Sequence, residues 1–105
     1  MIFITGPLYS GKRTFANALP GTRITEVQNL AKDADDLENL ADKLATYDIV
    51  IATEVGGGVV PVDAGERAAR EAAGRLACLL ASRAQCVVQM FCGIPTILKG
   101  ELPPC

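Results

Sequence analysis

A strand, a glycine-bounded loop and a lysine-led helix fill the first nineteen residues, and they constrain the fold more than anything that follows. Ile2-Phe3-Ile4-Thr5 is short, β-branched or aromatic, and stops at Gly6, which predicts a buried strand. Gly6-Pro7-Leu8-Tyr9-Ser10-Gly11-Lys12 then reads G-x-x-x-x-G-K, and Lys12 to Leu19 reads as a helix closed by Pro20-Gly21. In that setting backbone N–H groups of the loop and the helix start converge on an anion, and the lysine ammonium reaches the outer phosphates. Gly6, Ser10, Gly11, Lys12, Arg13 and Thr14 are therefore the expected nucleotide-binding residues, with Lys12 also catalytic. The alternative is a glycine turn between strand and helix that holds no ligand.

One position departs from the motif. The residue after the lysine is normally Ser or Thr, whose hydroxyl binds Mg²⁺, and here it is Arg13. Thr14 comes one residue late and points about 100° further round the helix. A guanidinium cannot ligate a cation but pairs bidentately with phosphate. Phosphate binding is expected to survive this change. Mg²⁺ remains an expected cofactor only if another group replaces the missing hydroxyl.

Further along, Arg23 to Val27 reads as a short strand, Asp33 to Ala45 as an amphipathic helix, and Asp48 to Thr53 as a second buried strand. A long helix opens at Asp63 and Glu66, with Ala69, Ala72, Ala73, Leu76, Leu79 and Leu80 on one face. Gln85 to Phe91 is a further strand, Cys92-Gly93 a turn, and Thr96 to Leu98 a last strand. Strands alternating with helices imply an α/β fold with a small, mainly parallel sheet of four to five strands. No repeat or linker divides the chain, so residues 1–105 are read as a single domain.

Composition narrows the function. There are no histidines among the 105 residues, which removes imidazole bases, nucleophiles and metal ligands. Four cysteines without a C-x-x-C give no zinc or disulfide framework, so reduced, mostly structural thiols are expected. A net charge of −2, with 5% aromatic residues and no Trp, argues against a nucleic-acid partner. No apolar stretch approaches the roughly 20 residues of a membrane span, and no leader is visible, so a cytoplasmic protein with no membrane partner is expected.

A second group follows the Asp48 to Thr53 strand. Carboxyl ends of parallel strands form the ligand crevice, so Glu54, heading the glycine-rich stretch 54–61, is expected on the same rim as the phosphate loop. There its carboxylate can accept a substrate hydroxyl proton or hold a metal-bound water, and it is taken as the second catalytic residue. The plainer reading is a solvated acid in a loop. Arg67, Arg70 and Arg75 fall on the next helix, as phosphate or subunit contacts or as a solvated face.

Together these residues resemble the bifunctional adenosylcobinamide kinase / adenosylcobinamide-phosphate guanylyltransferase family of cobalamin biosynthesis. The N-terminal strand and loop are similar to the family's G-G-x-R-S-G-K-S. Thr53-Glu54-Val55-Gly56, with Gly58, Val60 and Pro61, is similar to its T-N-E-V-G-x-G-x-V-P signature apart from a missing Asn. The resemblance implies a P-loop NTPase-like three-layer fold, a homo-oligomer, and transfer from GTP or ATP to a corrinoid alcohol. It places Gly6, Gly11 and Lys12 on phosphates and Glu54 at the active-site rim. Guanylyl transfer in the family runs through a histidine that this chain lacks, and residues 20–47 stand in place of the family's central segment as one short helix with flanking loops. Three readings follow: a kinase-only enzyme, a nucleotide-binding module without turnover, and a paralogue that only folds and oligomerises.

Overall fold

Ile2, Phe3 and Ile4 are all buried, yet successive strand residues face opposite ways, so the first strand needs an apolar layer on each side. The computed structural model, which describes residues 1–7, 11–17, 19–31, 34–53 and 64–101, supplies both. Its elements in chain order are β1 (Ile2–Gly6), α1 (Lys12–Asn17), β2 (Arg23–Ile24), α2 (Gln28–Ala31), α3 (Leu37–Leu44), β3 (Ile49–Thr53), α4 (Ala64–Arg83), β4 (Cys86–Phe91) and β5 (Ile94–Lys99). The strands form one five-stranded sheet in the order β2-β3-β1-β4-β5. β1 pairs in parallel with β3 and β4, β2 pairs in parallel with β3, and β5 returns antiparallel on β4. The fold is α/β with a mostly parallel sheet, as the alternation of elements implied.

Two cores lie on opposite faces. Phe3, Val50 and Val87 pack with Ala31 of α2, Ala41 and Leu44 of α3, and Leu76 and Leu80 of α4. Ile4, Ile51 and Val88 face the other way, onto Ala16 of α1 and Leu19. Leu76 and Leu80 are one helical turn apart, so a single stripe of α4 carries much of the larger core. At its other end, α4 is tied down by Lys99, whose Nζ donates to the carbonyls of Ala81 and Ser82 at 3.1 Å each. A cation at a helix C-terminus is favourable there.

Several boundaries differ from the sequence reading. α1 stops at Asn17, two residues before Leu19, which is held by a turn in which its N–H bonds the Ala16 carbonyl. α3 begins at Leu37 because Asp36 caps it, its Oδ1 accepting from the N–H groups of Glu38 and Asn39. β2 spans only two residues, and the four-residue α2 follows, so residues 20–47 hold a short strand and two helices. The last strand is longer than expected and includes Pro95. Of the three described cysteines, only Cys86 is buried; Cys78 and Cys92 are exposed, so the thiols are not mostly structural.

The sheet margins are poor templates. β2 is too short to offer a ladder, and on β5 Pro95 stands opposite Met90, next to the turn-flanking pair Phe91–Ile94. Alternation in an antiparallel ladder puts its missing N–H on the outer edge. The same hairpin exposes Phe91, Ile94, Ile97 and Leu98.

Neighbouring positions of α4 separate packing from propensity. Leu76 is 1% exposed, so Leu76→Ala is expected to cost about 2–5 kcal/mol in urea unfolding. A Cβ added at Gly74 meets nothing within 4 Å, so Gly74→Ala is expected to stabilise by about 1 kcal/mol through helix propensity.

Candidate functional site

The chain leaves β1 for α1 on one face of the sheet and leaves β3 for α4 on the other. The two strands are neighbours, and their last residues, Gly6 and Thr53, are paired in register. Adjacent parallel strands whose continuations diverge in this way open a crevice at their carboxyl ends, where ligands bind in open α/β sheets.

Lys12 enters this crevice as the first residue of α1 and is only 6% exposed. A buried ammonium needs hydrogen-bonding partners. One is the carbonyl of Pro7, which accepts from Nζ at 2.7 Å, so the side chain folds back to the start of its own loop. The charge thus sits beside the start of the loop backbone and away from bulk water. Gly11, just before it, has φ +89 and lies against the β4–β5 turn; a Cβ there would come 3.2 Å from the Gly93 Cα. That turn is tight, with Cys92 at φ 50 and Gly93 at φ 77 between the paired Phe91 and Ile94, a type I′ arrangement. The hairpin tip therefore buttresses the loop.

The predicted residues divide as follows. Gly6 ends β1, Gly11 precedes α1, Lys12 opens it, and Thr14 is exposed upon it. Arg13 is in α1, but its side chain, like Ser10, Glu54 and the glycine-rich stretch 54–61, lies outside the described residues. The same holds for Asp63 and the Glu66 side chain. On α4, Arg70 is half-buried, while Arg67 and Arg75 are exposed.

Sequence reasoning missed a polar network beside the crevice. Glu26, just beyond β2, has φ 57, a left-handed conformation that costs a non-glycine residue about 1–2 kcal/mol. Its carboxylate accepts from the Thr53 hydroxyl at 3.1 and 3.2 Å and from the Gln28 amide at 2.5 Å. The Gln28 side-chain carbonyl in turn accepts from the Thr53 N–H at 3.0 Å. β2 has already ended at this level, so the Gln28 amide takes the place of a ladder partner. The last residue of β3, from which Glu54 follows, is thus fixed by two side chains of the preceding segment. The signal was faint: Glu26 lies near the end of the stretch read as strand, and Gln28 just beyond it.

Cys86 is deeply placed on β4, and burial pushes its thiol above the ordinary value. Among the described residues no cluster of three His, Cys, Asp or Glu side chains is arranged to hold a metal ion, and no helix is long and apolar enough to cross a membrane.

A family model described as cobinamide kinase / cobinamide phosphate guanyltransferase matches residues 22–98. The match begins beyond the glycine–lysine loop and runs through most of β5, taking in residues 22–47. Among curated proteins none matches the chain.

Two measurements check this geometry. In a double-mutant cycle, Glu26→Gln and Thr53→Val are expected to couple by about 1 kcal/mol in unfolding free energy. In native thiol alkylation followed by peptide mass spectrometry, Cys78 and Cys92 are expected to label quickly and Cys86 only on unfolding.

Proposed function

Because this chain belongs to the cobinamide kinase / cobinamide phosphate guanyltransferase family, we propose that it binds GTP or ATP on its glycine–lysine loop and phosphorylates the alcohol of a cobinamide-like corrinoid. The observation that carries the reading is the buried Lys12 ammonium, turned back onto Pro7 at the switch point between β1 and β3. In this reading Gly6, Ser10 and Gly11 let the backbone approach the phosphates, and Lys12, Arg13 and Thr14 supply donors to them. The acceptor oxygen attacks the γ-phosphorus as the bond to the β–γ bridging oxygen breaks, releasing the nucleoside diphosphate. Lys12 offsets the charge gathering on the β- and γ-phosphate oxygens. The hydroxyl proton passes to the Glu54 carboxylate. The Glu26–Gln28–Thr53 network serves that step by holding the strand end from which Glu54 follows.

The residues of the loop do not fit the Mg²⁺ that a Ser or Thr after the lysine holds. Arg13 stands there, and a guanidinium carries donors only. No step is therefore routed through the ion. Guanylyl transfer by way of an enzyme histidine is likewise outside this chain's chemistry, which has no histidine. Arg13 favours a second reading, a nucleotide-binding module without turnover. A homo-oligomer belongs to either version, supported by the exposed apolar side chains of the β4–β5 hairpin.

Calorimetric titration of GTP and ATP, with and without Mg²⁺, separates these readings. Wild-type protein is expected to bind one of them, and Lys12→Ala to weaken that affinity about 10- to 100-fold, the scale of a lost charge-assisted hydrogen bond. Phosphorylated cobinamide formed from cobinamide and the bound triphosphate supports the kinase. Binding without product leaves the module, and no binding under any condition rejects both. Arg13→Ser is expected to increase the response to Mg²⁺; an unchanged response contradicts the role given to Arg13.

A further inference from the structure

The carboxyl-end rim of the sheet has an apolar side as well as a charged one. β4 neighbours β1 on the side away from β3, and the pairing of Thr5 with Gln89 carries Phe91 just past the level of Gly6. There the β4–β5 tip meets the phosphate loop directly. A Cβ on Gly11 would come 3.2 Å from the Gly93 Cα and 3.8 Å from the Met90 Cε. Met90 is buried beneath that contact, and alternation along β4 turns Phe91 the opposite way. Its cross-strand partner across the two-residue turn is Ile94.

Phe91 and Ile94 are 66% and 65% exposed, so no described element covers them. Among the described aromatic side chains, Phe3 is buried and Phe15 and Tyr47 are half-buried; only Phe91 presents its ring to solvent. A flat apolar ring beside an anion site suits a ligand with phosphates at one end and a planar π-system at the other. A nucleoside triphosphate has that form, its base and phosphates held apart by one ribose. Phe91 is two residues from the Gly93 contact, at most about 7 Å of chain, a gap that a ribose and its first phosphate span. The area also favours a small ligand. Two side chains flanking a tight turn match the face of one base, whereas a stable protein interface needs roughly 800 Å² per partner. Ile97 pairs with Val88, farther from the tip, and stands outside this platform.

Resting on the triphosphate reading above, we propose that the β4–β5 tip is the nucleobase subsite: the purine ring stacks on Phe91 with Ile94 flanking it, while the phosphates lie on the loop beside Lys12. The close approach of Gly93 to Gly11 then sets the spacing between the two ends of the ligand. Stacking tolerates either purine, because every base has a π-face. The platform therefore supplies affinity for the base without choosing between guanine and adenine.

The test titrates GTP, ATP and inorganic tripolyphosphate, which carries phosphates without a base, into wild-type protein and Phe91 variants by calorimetry. Phe91→Ala is expected to weaken the bound nucleotide about tenfold or more and to leave tripolyphosphate unchanged. Phe91→Tyr keeps the ring and is expected to bind as wild type does. Phe91→Leu, apolar but without a π-face, is expected to follow Phe91→Ala, and Lys12→Ala to weaken both kinds of ligand. Nucleotide affinity that is unchanged in Phe91→Ala, restored in Phe91→Leu, or lost together with tripolyphosphate overturns the proposal. So does a Phe91→Ala effect confined to oligomeric state in size-exclusion chromatography, which assigns the ring to a subunit contact. Lys12-dependent binding that ignores Phe91 keeps the phosphate loop and removes only the base subsite. Wild-type protein that binds neither nucleotide nor tripolyphosphate rejects the loop reading and this subsite with it.

Discussion

The pairing of Gly6 with Thr53 is the contact on which the rest of the molecule turns. It joins the two strand ends whose continuations part to opposite faces of the sheet, and so creates the crevice that Lys12 enters. It is also held from both sides. The β4–β5 hairpin tip presses on Gly11, and the Glu26–Gln28 side chains grip Thr53. Each support comes from a segment distant in sequence, so the rim depends on the sheet being complete. Strain at Glu26, held in the left-handed region, is offset by the hydrogen bonds its carboxylate makes there.

The family relationship and the geometry bear on different parts of the chain. The family match covers residues 22–98, and therefore β2 to most of β5 with α4, but not the glycine–lysine loop. The loop's case rests on its own context: a buried strand before it, a helix after it, and a lysine that is buried and directed back along it. Arg13 and the lack of any histidine pull the other way, toward a narrower chemistry than the family's two steps. The proposed reading keeps triphosphate recognition and a single transfer.

How much of this was legible in the sequence follows from the range of the interactions. β1, β3 and the long α4 were readable because their signals are local: β-branched runs and a helical apolar stripe. The helix read from Asp33 starts at Leu37, because Asp36 turns its carboxylate onto the Glu38 and Asn39 N–H groups as a cap. β2 was read too long because Glu26, an ordinary residue by propensity, adopts a backbone angle that only its contacts with Thr53 and Gln28 justify. The loop motif was visible at once. Its buttress was not, because no local pattern tells that Gly93 will lie beside Gly11, 82 positions away in the chain.

The abbreviated β2 and the outward-facing Pro95 carry a consequence for aggregation during folding. Each described margin is a poor template for another strand, β2 because it offers two residues and β5 because Pro95 lacks an N–H. Parallel sheets assemble slowly and leave their rims bare meanwhile. A fold with silent rims can wait through that interval without seeding fibres.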